Sequence, residues 1–496
     1  MEAGNYMYTV PRGYVHVIPD PRGLGDSEGA GTNGDHGVGM PLIAADIYDM
    51  IEWIADQPWC NGNVGMMGPS SYSMSQIGIA ENPPPALKAI HPCESITGTG
   101  DHFHGMWDTL TYHIFFGRHG NDSAFVTPNY PYSPVEPALQ GLPREQLDAL
   151  LEEALNHPDI KYNSKFYSYL KYPMKSPFTF DSLLSSFHPR PGPQNVGQSM
   201  DIDKITLPMY IGAPWVTRLY LWATLEAYEN VSTPPEDRKL IVYSPGFPDR
   251  PYTDFHDEIV RWYDHWLKGI DTGIMDEPPI KMFVMGVNKW RFENEWPLAR
   301  TRWEKLYLHP QGSLSFDNVE GAPDPDSFTQ PAPYDDPKVY SLNYKTEPFE
   351  RDTEMSGPIA LYLDASIDKD DTNWMVDLVD VSPDGEKQWL SSGHLKAAHR
   401  ALDEEKSKPF SPIHPRQDGV PVPVGEKVRY AIALMPTSNV FKQGHSLELI
   451  IRNQDDLLSR LGTWGVYMLP FMQTVTHKIH LGDSHLLLPI IPASEN

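Results

Sequence analysis

The serine at position 70 follows a short apolar run and the pair Gly68-Pro69, and it precedes a segment with helical character. The run at residues 64–67 predicts a buried strand, and residues 72–80 predict a helix. Because the chain must turn sharply between them, we expect Ser70 to carry strained backbone angles that hold its Oγ above the edge of a sheet. A hydroxyl in that place can attack a carbonyl carbon. The backbone N–H of Ser71, at the start of the helix, can then donate a hydrogen bond to the oxyanion that forms.

A serine nucleophile needs a proton acceptor, because its hydroxyl is almost never ionised at neutral pH. His256 opens a predicted helix, and its loop can fold back over Ser70; the alternative is a surface residue at the helix start. Glu94 ends the strand predicted after the one that carries Ser70. An acid at that position can reach a catalytic histidine, and the alternative is an ion pair that anchors the insertion that follows.

Other polar residues fit structural roles better. Asp249 can orient a base, but it stands beside a proline and is typical of a turn. His91 lies on the strand that follows the serine's helix, and we expect a hydrogen-bonded core histidine. The cluster Asp101-His102-Phe103-His104 lacks a second metal-binding motif and fits the lining of a pocket better. The glycine-rich residues 23–29 lack the spacing of a dinucleotide fingerprint, so we expect no metal and no cofactor.

The elements that must position these residues alternate between strand and helix. Apolar residues fall at helical spacing within residues 44–57, between an apolar run at 14–18 and the strand at 64–67, which predicts a βαβ unit that ends at Ser70. Ligands of such sheets bind beyond the carboxyl ends of the strands. Later strands are predicted at residues 87–92, 207–213 and 239–243, and helices at 218–228 and 257–268.

Changes in composition divide the chain into three parts. Residues 1–96 and 197–290 carry the strand–helix alternation of an α/β domain. Residues 97–196 are rich in His, Tyr, Phe and Pro around one clear helix at 144–156, which predicts a helical cap whose aromatic side chains line a pocket or form core. Short alternating runs over residues 291–496 predict an antiparallel β-sandwich or jelly roll.

Composition narrows the class of protein further. The 496 residues provide material for two or three globular domains, and the net charge of −27 argues against nucleic acid or anionic membranes as partners. Cys60 and Cys93 alone make no disulfide framework. No run of eighteen apolar residues is present, and the first residues lack the layout of a signal peptide, so the expected location is the cytoplasm. Whether the chain forms a homo-oligomer stays open.

The order of these parts resembles the cocaine-esterase and X-prolyl dipeptidyl-peptidase-like hydrolases, the CocE/NonD group. The resemblance rests on motifs spread along the chain, at residues 20–29, 52–59, 65–76, 84–90, 261–269, 283–286, 295–297, 437–445 and 486–489. It implies an α/β-hydrolase domain, a helical cap and a C-terminal jelly roll. It also implies that Ser70 is the nucleophile and that the Ser71 amide is one oxyanion donor.

The chain departs from this family where the other catalytic residues are expected. The family's acid stands in a Gly-Trp-Tyr-Asp segment, where this chain has Thr217 or Arg218 instead. The family's histidine follows a Gly-Pro-Trp-x-His segment, whose counterpart at residues 243–249 has none. The second oxyanion donor, a tyrosine, and the first strands of the sheet are expected upstream of Met1, so the sheet is expected to be truncated at its N-terminus.

Three hypotheses follow from the sequence. The first is a serine hydrolase with an atypical triad, in which Ser70 attacks a small acyl ester, an α-amino acyl ester or an X-Pro peptide and His256 carries the proton. The second is a catalytically silent member of the same fold that binds a partner. The third keeps the pocket for non-hydrolytic chemistry such as acyl transfer.

Overall fold

In the computed structural model, the residues that the structure describes are 4–20, 26–28, 40–95, 106, 143–156, 161, 201–218, 220–245, 253–321, 323–415, 419–456, 468 and 470–493. The cap predicted at 97–196 lies outside these ranges except for residues 106, 143–156 and 161. The cluster at 101–104, Asp249 and most of the glycine-rich residues 23–29 also lie outside them.

Six α-helices are described in these ranges, and the helix predicted at 144–156 has those bounds. They are α1 Tyr6–Thr9, α2 Met40–Ala55, α3 Ser71–Ala80, α4 Arg144–Asn156, α5 Leu221–Asn230 and α6 His256–Lys268. Short 3-10 turns are at Val10–Arg12, Ile202–Lys204, Pro235–Asp237, Thr253–Phe255, Ile274–Asp276, Pro310–Gly312 and Ala397–His399.

The first sheet has six strands whose spatial order is their order in the chain. They are β1 Val64–Pro69, β2 Leu87–Cys93, β3 Met209–Pro214, β4 Arg238–Tyr243, β5 Ile280–Val284 and β6 Lys289–Glu293. The first five run parallel and β6 runs antiparallel to β5. We call this part of the molecule the α/β domain. Its parallel strands confirm the strand–helix alternation that the sequence predicts.

Helix α6 covers the strands next to Ser70 with the apolar face predicted from its sequence. Ile259, Trp262 and Tyr263 are buried on this face, and Tyr263 donates a hydrogen bond from its hydroxyl to the carbonyl oxygen of Met66. A Cβ at Gly65 would stand 2.4 Å from the Tyr263 ring. Glycine is therefore required in β1 for the helix to approach the strand this closely.

The strand predicted at residues 14–18 is wrong. These residues form no strand, and Val15, Val17 and Ile18 are exposed, so the alternating valines do not mark a sheet position. Instead Tyr14 lies against α6, where its hydroxyl donates to Asp264 Oδ1 at 2.7 Å. The Tyr14 ring also packs against the apolar cluster that includes Trp262, Tyr263 and Leu267, so the segment packs on a helix instead of pairing with a strand.

The second sheet forms a C-terminal β domain with ten strands, as the alternating sequence predicts. They are β7 Arg302–His309, β8 Ser313–Ser315, β9 Asp326–Gln330, β10 Leu342–Thr346, β11 Thr353–Ile367, β12 Asn373–Val381, β13 Lys387–Lys396, β14 Val428–Phe441, β15 Ser446–Arg452 and β16 Val475–Ile491. Their pairings are antiparallel except for β8 with β10. Because β11 pairs with both β14 and β16, the sheet closes on itself. The jelly-roll topology stays a prediction.

The two domains meet through buried charges. Arg218, in the turn after β3, donates to both carboxylate oxygens of Asp455 at 2.8 and 3.1 Å and to Ser392 Oγ at 2.9 Å. Asp377 lies 3.9 Å from the same guanidinium and also pairs with Arg452. Two arginines and two aspartates are thus buried as a neutral cluster, which we call the interdomain cluster (Arg218, Asp377, Arg452, Asp455).

We predict that Asp455→Asn lowers the free energy of unfolding by about 3 kcal/mol, because it leaves a buried guanidinium without its bidentate partner. Urea titration followed by fluorescence measures the change. The matched control is Asp201→Asn, which removes an exposed pair with Lys204 and should change stability by less than about 1 kcal/mol. Equal losses in the two variants would contradict the role of the interdomain cluster.

A buried histidine in the β domain predicts acid sensitivity. His477 is fully buried against Phe328 and lies 2.8 Å from Thr372 Oγ1, and burial lowers its pKa to about 3. Because the unfolded chain binds this proton near pH 6.5, stability falls as pH drops from about 6.5 towards 3, by up to about 1.4 kcal/mol per pH unit. His477→Gln should flatten this slope in thermal melts between pH 7 and 5. Parallel slopes for wild type and variant would show that His477 does not cause the loss.

Candidate active site

Ser70 has the strained backbone that the sequence predicts. Its φ is 54° and its ψ is −120°, and it stands between the end of β1 and the first residue of α3, Ser71. A positive φ at a non-glycine residue costs on the order of 1–3 kcal/mol and persists only where neighbouring contacts determine it. The backbone thus presents Ser70 at the carboxyl end of a parallel strand, with the N-terminus of α3 beside it.

Hydrogen bonds to the end of the neighbouring strand, β2, hold the turn that carries Ser70. The Ser70 N–H donates to the carbonyl oxygens of Cys93 and Glu94, at 3.1 and 3.2 Å. The side chain of Gln76 spans the same two strands: its Nε2 donates to Gly68 O at 3.0 Å, and its Oε1 accepts the backbone N–H of His91 at 3.0 Å. Sequence reasoning missed Gln76, although a lone amide among the apolar residues of a predicted helix was a signal.

Glu94 is brought close to Ser70 through the main chain. Its carbonyl accepts the Ser70 N–H, its own N–H donates to Gly212 O at 2.6 Å, and its side chain is fully buried. Its φ is 52°, so a second strained residue stands beside the first. The role of its carboxyl group in catalysis stays a prediction.

His91 is the hydrogen-bonded core histidine that the sequence predicts. Burial lowers its pKa to about 4, so the ring is neutral at physiological pH. Its Nδ1 lies 2.6 Å from Tyr210 O, which can only accept, so Nδ1 carries the proton and Nε2 faces Cys93 Sγ at 3.3 Å. Tyr243 donates from its hydroxyl to the same sulfur at 3.1 Å. These bonds end on Cys93, whose carbonyl oxygen accepts the Ser70 N–H.

His256 is the first residue of α6 and is buried, so the alternative of a surface residue at the helix start is wrong. Its ring lies against that of Tyr8, with 4.4 Å between the centroids, and the Tyr8 hydroxyl donates to the adjacent Asp257. The N-terminal segment therefore lies over the start of α6. The role of His256 as the base for Ser70 stays a prediction.

Tyr220 contacts the serine side chain directly, and sequence reasoning missed it. Its hydroxyl lies 3.4 Å from Ser70 Oγ, and the residue is buried at the start of α5. The turn before it is where the resemblance predicts the family's acid, with Thr217 or Arg218 in its place. Arg218 brings a positive charge that is bound to Asp455, so this turn supplies no carboxylate to Ser70.

The described part of the chain has neither a metal-binding cluster nor a membrane-spanning helix. It contains no group of three or more His, Cys, Asp or Glu residues that could hold a metal ion. None of the helices described is both long and apolar enough to cross a membrane.

Comparison with known proteins gives consistent matches along the chain. Residues 2–246 match the model of the X-Pro dipeptidyl-peptidase (S15) family, and residues 272–483 match the X-Pro dipeptidyl-peptidase C-terminal non-catalytic domain. A cocaine esterase of Rhodococcus sp. is 25% identical over 557 aligned residues, which cover 99% of this chain and 90% of the esterase.

Solved structures show the same fold. A CocE/NonD family hydrolase from Staphylococcus aureus superposes with a TM-score of 0.67 at 22% identity, over 95% of this chain and 78% of that one. An α-amino acid ester hydrolase gives a TM-score of 0.67 at 19% identity, over 99% of this chain and 88% of that one. The fold is therefore an α/β-hydrolase domain followed by a β domain. On these matches, the chain belongs to the CocE/NonD, X-Pro dipeptidyl-peptidase-like family of hydrolases.

Proposed function

We propose that this protein is a serine hydrolase that cleaves ester or amide bonds through an acyl-enzyme on Ser70. The observation that carries the proposal is the strained backbone of Ser70 at the end of β1, beside the N-terminus of α3. Relatives named as a cocaine esterase and X-Pro dipeptidyl-peptidases support a hydrolase of ester or peptide bonds. The substrate class we propose is a small acyl ester, an α-amino acyl ester or a short X-Pro peptide.

The proposed reaction assigns each predicted residue a step. Ser70 Oγ attacks the carbonyl carbon, its proton passes to His256, and the Ser71 N–H donates a hydrogen bond to the oxyanion. The C–O or C–N bond of the substrate then breaks, and the leaving group takes the proton from His256. Water hydrolyses the acyl-enzyme by the reverse sequence of transfers. Glu94 orients the imidazole of His256 in this scheme, and no metal or cofactor takes part.

A second candidate is a catalytically silent member of the family that binds a ligand without cleaving it. The observation that favours it is the guanidinium of Arg218, which stands where the family's acid is expected and is held by Asp455. A site that lost its acid to a structural ion pair can retain the fold and the pocket. Labelling of the serine separates the two candidates.

We predict that a fluorophosphonate probe labels wild type but not Ser70→Ala, because phosphonylation requires an activated hydroxyl in an accessible site. In-gel fluorescence of the labelled chain measures the outcome. The matched control is Ser73→Ala, which removes a buried hydroxyl from the same helix and should label like wild type. No labelling of wild type across pH 6 to 9 would favour the silent candidate.

Removing the proposed base or its orienting acid should slow turnover of a p-nitrophenyl ester. We expect kcat to fall about 10²-fold to 10⁴-fold in His256→Ala and in Glu94→Gln, since general acid–base catalysis contributes that much. His265→Ala, on the same helix near its C-terminal end, is the matched control and should retain full turnover. A His256→Ala or Glu94→Gln variant with wild-type kcat would remove that residue from the mechanism.

A further inference from the structure

The hydroxyl of Tyr220 has no part in the reaction proposed so far, yet the structure places it against the reacting oxygen of Ser70. The distance to Ser70 Oγ is 3.4 Å, with the tyrosine hydroxyl as donor. Tyr220 is 5% exposed, so the phenol reaches Ser70 from the protein interior. The two residues are 150 positions apart in sequence, and only the fold brings them together.

The backbone fixes the start of α5 and with it the phenol. The Tyr220 N–H donates to Thr217 O at 3.3 Å, and the Tyr220 carbonyl accepts the N–H of Thr224 at 2.9 Å. Val216, the residue before Thr217 in this turn, has a φ of 63°. Such a conformation at a β-branched residue is rare and needs support from its surroundings.

Side chains on both flanks supply that support. The indole N–H of Trp215 donates to Phe283 O at 2.7 Å, which ties the turn to β5. Arg218 ties it to Asp455 in the β domain. The turn that carries Tyr220 is thus held from both domains, and its phenol is positioned before any substrate binds. Preorganised donors of this kind stabilise charge without a cost of reorganisation during the reaction.

The charge that such a donor can stabilise is on Ser70 Oγ itself. During hydrolysis of an acyl-enzyme this oxygen is the leaving group, and it gains negative charge as its bond to the acyl carbon breaks. A hydrogen bond that strengthens with this charge lowers the barrier of that step. A length of 3.4 Å in the free protein is compatible with this role, because catalytic hydrogen bonds are often long before substrate binds.

We propose that Tyr220 is a further catalytic residue, whose phenol O–H donates to Ser70 Oγ and promotes hydrolysis of the acyl-enzyme. In this step the water oxygen bonds to the acyl carbon and the acyl C–Oγ bond breaks. One proton of the water passes to the general base and from it to Oγ. Tyr220 keeps its own proton throughout. The inference rests on the proposed function, since it requires an acyl-enzyme on Ser70.

The test uses p-nitrophenyl acetate and the full chain as wild type, Tyr220→Phe and Tyr344→Phe. Tyr344→Phe is the matched control, because it also removes a buried phenol hydroxyl, one that donates to Asp326 in the β domain. The initial burst of p-nitrophenolate reports acylation. After excess ester is removed, the decay of the acetylated Ser70 peptide in mass spectra reports deacylation. This decay follows only molecules that were folded well enough to be acetylated, so partial unfolding does not imitate the effect.

We expect Tyr220→Phe to slow the decay of acetyl-Ser70 about tenfold to a hundredfold and to accumulate the acetylated chain, whereas Tyr344→Phe should decay as wild type does. Decay of acetyl-Ser70 at the wild-type rate in Tyr220→Phe would overturn the role of Tyr220 and leave the serine hydrolase standing. A wild-type chain that is never acetylated at Ser70 would overturn the proposed function, and the role of Tyr220 with it.

Discussion

The backbone of Ser70 is the constraint on which the rest of the site depends. A serine with φ of 54° and ψ of −120° is held against a conformational cost on the order of 1–3 kcal/mol. The hydrogen bonds that hold it come from the end of β2, and the side chain of Gln76 ties β1, α3 and β2 together beneath it. Close packing of α6 on Gly65 keeps β1 in place. Strand, turn and helix thus act as one rigid support for a single hydroxyl.

The interdomain cluster joins this support to the β domain. One of its two arginines, Arg218, stands in the turn where the family resemblance predicts an acid, and it donates to Asp455. Arg218 thereby joins the two domains, and Tyr220, two residues later, lies against Ser70 Oγ. The same turn therefore provides both an ion pair between the domains and a polar contact for Ser70. The Tyr220 hydroxyl gives Ser70 Oγ a polar neighbour from a turn that lacks the expected carboxylate.

Much of the fold could be predicted from sequence, because its signals are local. Continuous apolar runs predicted β1 to β4, and helical spacing predicted α4 and α6 nearly to the residue. The strand predicted at residues 14–18 is absent, because an alternating pattern of valines cannot show whether a neighbouring strand is there to pair with it. Tyr220 was beyond local reasoning, because it lies 150 positions from Ser70 and only the fold brings the two together. Gln76 stands in the helix that follows the serine, and its link to β2 was the part that local reasoning could not reach. The local turn at Gly68-Pro69-Ser70 singled out Ser70 and the family resemblance agreed with it, but neither could say what replaces the expected acid.

The most direct test of the central claim is a crystal structure of the chain after reaction with an aryl phosphonate. The account predicts a covalent bond from Ser70 Oγ to phosphorus, with a phosphonyl oxygen within hydrogen-bond distance of the Ser71 N–H and the φ of Ser70 still positive. An unmodified Ser70, or an adduct whose oxygen points away from the start of α3, would contradict it.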